Sequence, residues 1–378
     1  MFPAALTVVP AAFVAFANGA NDNFKGVATL HGSRTAGYWR LLAGATAAVF
    51  AGSLLSLWAG GRLLARFGGG GLVPEGVVAD PAFLPAAGLA TAVVVLAFTR
   101  LGMPVSTTHA LVGGLLGAGA VLGGAGGIDL GVLGGTFLLP LLASPFIALV
   151  LTAAVHRTAH AVRVRAGITR EWCLCVGRKP AAAPAAASWS GELALEPGVE
   201  VPGIGLAPRE ECRKVYGGRY LGIGVQRIVD GAHVASAVFL SFTRGLNDTP
   251  KIAALGLGLA ALSPGAAVIA VALAMAAGGL LQARRVAATM SWDITELDTG
   301  RGLAANGTAA LVTLGASLAG LPVSTTHVSV GSLFGAGATG GGLRRRTLRN
   351  IAGSWLLTLP AAVATGGAAA FIMRGVLS

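Results

Sequence analysis

The sequence predicts an all-α polytopic membrane protein built from two inverted-topology repeats with broken or re-entrant helices, and three observations carry that expectation. First, 54% of its 378 residues are hydrophobic and only 11% are charged, with a mean hydropathy of +0.75. Soluble chains carry about 25% charged residues. Second, apolar runs of roughly 18–24 residues recur, each long enough to cross about 30 Å of hydrocarbon. Third, the chain repeats itself. Pro104-Val105-Ser106-Thr107-Thr108-His109 returns 218 residues later as Pro322-Val323-Ser324-Thr325-Thr326-His327. Asn21-Asp22-Asn23-Phe24-Lys25 returns 226 residues later as Asn247-Asp248-Thr249-Pro250-Lys251. Two halves that share polar groups inside apolar helices are how a membrane carrier assembles one site.

Repeat one occupies residues 1–156, with apolar segments near 2–31, 41–60, 83–99, 105–122 and 131–155. The first is too long for one span and is interrupted by the Asn-Asp motif, so it reads as a broken helix. It lacks a basic leader, so it reads as a first transmembrane helix and not as a cleaved signal. Residues 157–219 are rich in Ala, Pro, Gly and Arg without sustained periodicity. They read as a basic cytoplasmic linker, largely disordered. Repeat two occupies 220–378, with apolar segments near 220–262, 264–282, 303–319, 323–338 and 350–374. The 58 glycines fit close helix packing, because lipid supplies no hydrophobic drive between helices.

Basic residues set the orientation. Ten of the 27 Lys and Arg lie between Arg157 and Arg219, so the net charge of +12 reads as positive-inside bias and not as a nucleic-acid surface. Arg344, Arg345, Arg346 and Arg349 precede the last helix of repeat two, which therefore starts inside. The matching loop of repeat one, residues 123–130, has no basic residue, so its last helix starts outside. Five crossings per repeat invert the second copy and place both termini outside the cytoplasm, in a plasma (inner) membrane. Arg62 and Arg66 fall outside and are the misfit. The three cysteines, Cys173, Cys175 and Cys212, lie in the linker and are expected to be reduced thiols there. Their C-x-C spacing allows a metal site, but no fourth ligand is evident.

The repeated motifs carry the chemistry. Proline stops the preceding helix, and Ser or Thr opens a new one. The unpaired N–H groups and positive dipole end of that helix, with the hydroxyls of Ser106, Thr107, Thr108, Ser324, Thr325 and Thr326, suit a tetrahedral oxyanion. The alternative is a capped helix start whose hydroxyls bond only backbone. Asp22 and Asp248 are carboxylates inside apolar spans, each costing about 2.5–3.5 kcal/mol on insertion scales. Lys25 and Lys251 follow each by three residues, one helical turn. The functional reading is that Asn21, Asn247, the lysines and the hydroxyls bind an anion while the aspartates take a coupling cation. The alternative is a structural ion pair. His109 and His327 read as packing residues. Glu296, Asp298 and Arg301, before a repeat-two helix, read as a solvated loop, with a gate ion pair as the alternative, and Gln226, Asp230 and His233 stay open.

With these motifs in place, the chain resembles the inorganic phosphate transporter family over both repeats. Gly19-Ala20-Asn21-Asp22 is similar to that family's GAND signature, and the two P-V-S-T-T-H segments to its other hallmark. Ile294-Thr295-Glu296-Leu297-Asp298, with Arg301-Gly302 and Gly320-Leu321-Pro322, is similar to its second repeat. The resemblance implies an inverted-repeat carrier that holds inorganic phosphate and a coupling ion between its halves. Lys25 stands where the family usually has asparagine, and an ammonium cannot ligate sodium. That departure favours H+ over Na+ coupling; a Na+ site, if present, falls at Asp22 and Asp248. The expected function is phosphate symport by alternating access, with no cofactor. The rivals are a sulfate or other oxyanion permease, a passive anion channel, and a membrane-embedded enzyme acting on phosphorylated lipid. No H-E-x-x-H, G-x-S-x-G or membrane cysteine supports the enzyme. A homo-oligomer remains open.

Overall fold

Among the described residues, side chains of Ser106, Asp129, Ser263, Asp298 and Ser324 cap the helices that follow them. The computed structural model describes residues 2–124, 126–180, 200–256, 263–340 and 342–377. In order these form α1 (Phe2–Asp22), a 3-10 turn (Lys25–Val27), α2 (Ala28–Gly32), α3 (Tyr38–Ala59), α4 (Gly61–Phe67), α5 (Glu75–Val78), α6 (Phe83–Arg100), α7 (Thr107–Gly123), α8 (Leu130–Val132), a π turn (Leu133–Leu138) and α9 (Leu139–Arg165). Strands β1 (Trp172–Pro180) and β2 (Glu200–Pro208), α10 (Arg209–Val215) and β3 (Tyr220–Gly224) follow. Then come α11 (Val225–Ala253), a 3-10 turn (Ala254–Gly256), α12 (Pro264–Gln282), α13 (Arg284–Ala288), a π turn (Thr289–Asp293), α14 (Thr299–Leu318), α15 (Thr325–Ala338) and α16 (Arg345–Leu377).

Among the described residues five helical stretches are long and apolar enough to cross a membrane: Tyr38–Ala59, Phe83–Arg100, Leu130–Arg165, Gly265–Gln282 and Arg345–Leu377. The chain is thus mostly helical, as its composition requires. The two helices opened by Ser-Thr-Thr are shorter, 17 residues in α7 and 14 in α15. At 1.5 Å per residue they rise about 25 and about 21 Å, below the roughly 30 Å hydrocarbon thickness.

The chain divides into two compact units, one of residues 1–156 with 233–378, the other of 157–232. Within the first, helices of one repeat pack on helices of the other through matched glycines. A Cβ on Gly19 of α1 would sit 1.9 Å from the Met275 carbonyl oxygen of α12, and one on Gly278 of α12 would sit 1.9 Å from the Phe16 oxygen of α1. The equivalent pair joins α11 and α3. A Cβ on Gly245 would lie 2.0 Å from the Val49 oxygen, and one on Gly52 would lie 1.9 Å from the Phe242 oxygen. Backbone meets backbone at all four positions, so no side chain fits. The Ser-Thr-Thr helices are exchanged in the same way. Gly113 and Gly117 of α7 lie on the Leu359 and Val363 carbonyls of α16, while Gly331 and Gly335 of α15 lie on those of Pro145 and Leu149 in α9.

The interruption at the Asn-Asp motif differs between the halves. In repeat one α1 stops at Asp22 and a 3-10 turn follows at Lys25. In repeat two α11 runs unbroken through Asn247–Lys251 to Ala253, with Pro250 inside it. The expected break therefore appears in repeat one at the motif and in repeat two only after it. Residues 257–262, the rest of that expected segment, lie outside the described residues.

The second unit corrects the expectation of a largely disordered linker. Its strands form an antiparallel sheet in the order β2-β1-β3, in register from Trp172↔Pro208 to Pro180↔Glu200 and from Cys173↔Gly224 to Gly177↔Tyr220. Low periodicity hid it, because Gly and Pro alternate with the few apolar residues that do pack. Its core is Cys173, Cys175, Cys212 and Tyr216. The expectation of three reduced thiols is corrected too, since Cys175 and Cys212 are joined as a disulfide. Cys173 and Cys175, two apart on β1, point to one face, and α10 brings Cys212 onto it. The second unit runs to Ala232, past residue 219 and into the first turns of α11. The Ala-Pro stretch at 181–199 lies outside the described residues.

Candidate functional site

Five charged side chains are buried together in the first unit. Asp22 and Asp248 are each 3% exposed, Lys25 is 2%, and Lys251 and Arg244 are 1%. Removing such groups from water costs several kcal/mol per ion, so each needs partners. The partners follow one scheme in both halves. Lys25 Nζ pairs with Asp22 of its own repeat, donates 3.2 Å to the Val105 carbonyl of its own repeat, and donates 2.7 Å to Thr326 Oγ1 of the other. Lys251 Nζ pairs with Asp248 at 3.2 Å, donates 2.8 Å to the Val323 carbonyl, and donates 3.0 Å to Thr108 Oγ1 of the other repeat. Each lysine thus closes on its own aspartate and on the opposite repeat's threonine. Both carbonyls belong to the Pro-Val step, where the helix interruption frees them from intrahelical bonding.

The remaining predicted residues fall around this pair of clasps. Thr325 donates to Asp248 Oδ2 at 3.1 Å, and Thr326 also donates to Asp22 Oδ1 at 3.1 Å. Thr107 Oγ1 accepts from Asn18 Nδ2 at 3.0 Å. Asn21 donates to Thr99 Oγ1 at 2.7 Å and accepts from the Val105 N–H at 3.2 Å, tying the helix interruption of α1 to the turn before α7. Asn247 accepts from Ser317 Oγ at 3.0 Å, and Ser317 stands at the position in α14 that Thr99 holds in α6. Ser106 and Ser324 play another part. Their hydroxyls accept from the His109 and His327 N–H groups at 3.0 and 3.1 Å, so they are helix caps. His109 and His327 pack on each other with ring centroids 4.3 Å apart, and His327 stacks on Trp355 at 3.8 Å.

Two residues that the motifs did not flag complete the site. Asn18 and Arg244 occupy one position in the two repeats, four residues before the aspartate. Asn18 donates to Asp22 Oδ2 at 3.1 Å. Arg244 donates through Nη1 to Ser329 Oγ at 2.8 Å and to the Thr325 carbonyl at 3.3 Å, while its Nη2 lies 3.6 Å from Asp22 Oδ1. Its Nε has no hydrogen-bond partner among the described residues. An arginine inside an apolar run was the available signal. Three cations therefore face two carboxylates, an excess of one positive charge with all five ionised. A narrow crevice lined by Lys25, Thr29, Asn306 and Ser329 adjoins them and is closed to a water-sized sphere.

The other flagged residues have local roles. Asp298 caps α14, accepting from the Arg301 N–H at 2.9 Å, and its carboxylate pairs with the Arg301 guanidinium at 3.2 Å. Gln226 donates to Asp230 at 2.8 Å on an exposed face of α11. His233 Nε2 lies 2.9 Å from Thr29 Oγ1. Arg66, a misfit of the charge pattern, donates to the Gly320 carbonyl just past α14, and Arg285 donates to the Arg100 carbonyl at the end of α6. Cations at helix C-termini offset the negative dipole end there.

Paired Asn-Asp and Ser-Thr-Thr elements thus close on each other across the two repeats. A family model described as "Phosphate transporter family" matches residues 18–366, which include every residue of the site. The chain belongs to the phosphate transporter family. It is a membrane transporter of that family and not an enzyme. The solved structure titled "The sodium-dependent phosphate transporter" is 21% identical with a TM-score of 0.75, covering 100% of both chains; at that identity the likeness is one of fold. "Putative phosphate permease" of Haemophilus influenzae is 26% identical over 94% of this chain and 93% of its own. "Inorganic phosphate transporter 2-1, chloroplastic" of Arabidopsis thaliana is 39% identical over 34% of this chain and 24% of its own.

Proposed function

We propose that this chain is a proton-coupled symporter of inorganic phosphate, working by alternating access between two inverted repeats. The carrying observation is the reciprocal clasp, in which each lysine binds its own aspartate and the other repeat's threonine. A substrate bridging the repeats must exchange with those cross-repeat bonds. A phosphate oxyanion can do so, because its oxygens accept from Lys25, Lys251, Arg244 and the hydroxyls of Thr108 and Thr326. The protonated form also donates, which suits a site holding Asp22 and Asp248; sulfate at neutral pH only accepts. One excess positive charge favours a single anion.

The coupling argument rests on which groups already hold the carboxylates. Asp22 Oδ1 receives Lys25 and Thr326, with Arg244 alongside, and Oδ2 receives Asn18. A sodium ion there would have to displace an ammonium, so the lysines act as tethered cations and protons travel on the aspartates or on phosphate. On this reading the positive-inside bias assigns the linker, residues 157–219, and the Arg344–Arg346 turn to the cytoplasm and both termini to the outside of a plasma (inner) membrane. The short α7 and α15 then read as the returning arms of re-entrant hairpins with α6 and α14. A single cysteine introduced by Arg346→Cys is expected to react with an impermeant thiol reagent only after the membrane is opened.

Uptake of labelled phosphate by proteoliposomes tests the carrier reading. Concentrative uptake that is abolished by a protonophore and survives excess sulfate is the expected result. Uptake that merely equilibrates would mean a channel, and full competition by sulfate would mean a general oxyanion permease.

A further inference from the structure

The chain has three cysteines, and all three meet at one point. Cys173 and Cys175 sit two apart on β1 and point to the same side of the sheet. Cys212 comes over that side from α10. Cys173 Sγ lies 3.0 Å from Cys175 Sγ and 3.5 Å from Cys212 Sγ, and Cys175 and Cys212 are bonded. All three are at most 1% exposed, under Tyr216 and against Ala207 and Tyr220. A disulfide that only braces the small sheet needs two sulfurs. The third is buried against the bond, where it adds no brace.

Three convergent sulfurs are what a soft metal ion requires, since thiolates select Cu+, Zn2+ and iron–sulfur centres over hard cations. The surroundings discriminate among these. Zinc in structural sites is almost always four-coordinate. Among the described residues the metal-ligating group here contains three cysteines and no histidine or carboxylate. Burial also keeps water from serving as the fourth ligand. Cu+ accepts sulfur-only, three-coordinate ligation. A metal about 2.3 Å from each sulfur sets them roughly 4 Å apart, so the triangle has to open only slightly once the disulfide is cleaved. We propose that Cys173, Cys175 and Cys212 form a three-thiolate site for Cu+ in the reduced protein, and that the disulfide form is its metal-free oxidised state.

The chemistry balances with a named reductant. A phosphine, with water, reduces the Cys175–Cys212 disulfide to two thiols and becomes the phosphine oxide. A dithiol does the same and becomes a disulfide. The three thiols then lose three protons as they bind Cu+ as thiolates. The site lies wholly within residues 172–212 and uses no group of the transport site, so it stands or falls separately from the transport reading.

The test uses the purified full chain in detergent, reduced with a phosphine under anaerobic conditions and titrated with Cu+ against a chromophoric copper chelator. The expected result is one tightly held Cu+ per chain, none in the unreduced protein, and loss of that site in Cys173→Ser, Cys175→Ser and Cys212→Ser alike. X-ray absorption at the copper edge gives a readout that does not depend on the variants folding, and a shell of three sulfurs is expected. Absence of tight binding in the reduced wild type would overturn the assignment. So would retention in all three variants, a shell containing nitrogen or oxygen, or a site that takes Zn2+ with four ligands and refuses Cu+.

Discussion

The two half-sites follow one plan and differ in charge at one position. Each has an aspartate, a lysine one turn on, a Pro-Val carbonyl that accepts from that lysine, and a threonine supplied by the other half. Four residues before the aspartate, repeat one has the neutral Asn18 and repeat two the charged Arg244. That arginine does not serve its own carboxylate; it reaches across to Asp22. Asp22 therefore balances two cations and Asp248 one. The repeats build a matched frame, and the one charge difference, Asn18 against Arg244, gives it an excess positive charge.

Removing each carboxylate in turn should expose the inequality most strongly. Losing one member of a buried pair costs about 3–5 kcal/mol. Asp22→Asn strands two cations and Asp248→Asn one. Both variants are expected to lose nearly all uptake, and Asp22→Asn to unfold at the lower temperature in detergent. Equal thermal losses would mean that Arg244 does not lean on Asp22.

A smaller effect is expected from making the halves alike. Arg244→Asn copies repeat one into repeat two and removes the excess charge. A hydrogen bond to a charged group is worth about 1.5–3 kcal/mol, so phosphate affinity should fall roughly 10- to 100-fold while the protein still inserts. An unchanged binding isotherm would remove Arg244 from the site.

Threonine substitutions separate the bonds that cross between repeats from those that do not. Thr108→Val and Thr326→Val each remove a lysine partner on the opposite repeat, again about 1.5–3 kcal/mol. Thr107→Val removes only a neutral contact with Asn18, about 0.5–1.5 kcal/mol. Affinity should rank accordingly, and the reverse ranking would move the anion away from the cross-repeat clasp. The smallest change belongs to the caps. Ser106→Ala and Ser324→Ala should each cost about 1 kcal/mol of stability and leave affinity unaltered. A loss of affinity there would return these hydroxyls to the anion.

Most of the site was legible because it is written twice. Asn21, Asp22, Lys25 and their copies stood out as costly groups at matched places, and the structure brings them together. Ser106 and Ser324 were legible both as caps and as anion ligands, since a hydroxyl at a helix start serves either end; in the structure they cap α7 and α15. Arg244 was overlooked because it lies outside the duplicated motif; its importance comes from a partner 222 positions away, Asp22, that only tertiary packing supplies. The linker was misjudged for a similar reason. Its sheet is held by three cysteines and Tyr216 rather than by an apolar period that a sequence displays.

Proton coupling follows only if Lys25 and Lys251, paired with Asp22 and Asp248, take the place of a driving cation. The direct measurement is phosphate uptake into proteoliposomes with sodium replaced by choline on both sides, with and without an imposed inward proton gradient. The account predicts uptake that persists in choline and rises with the proton gradient. Uptake that requires sodium and ignores the proton gradient would contradict it.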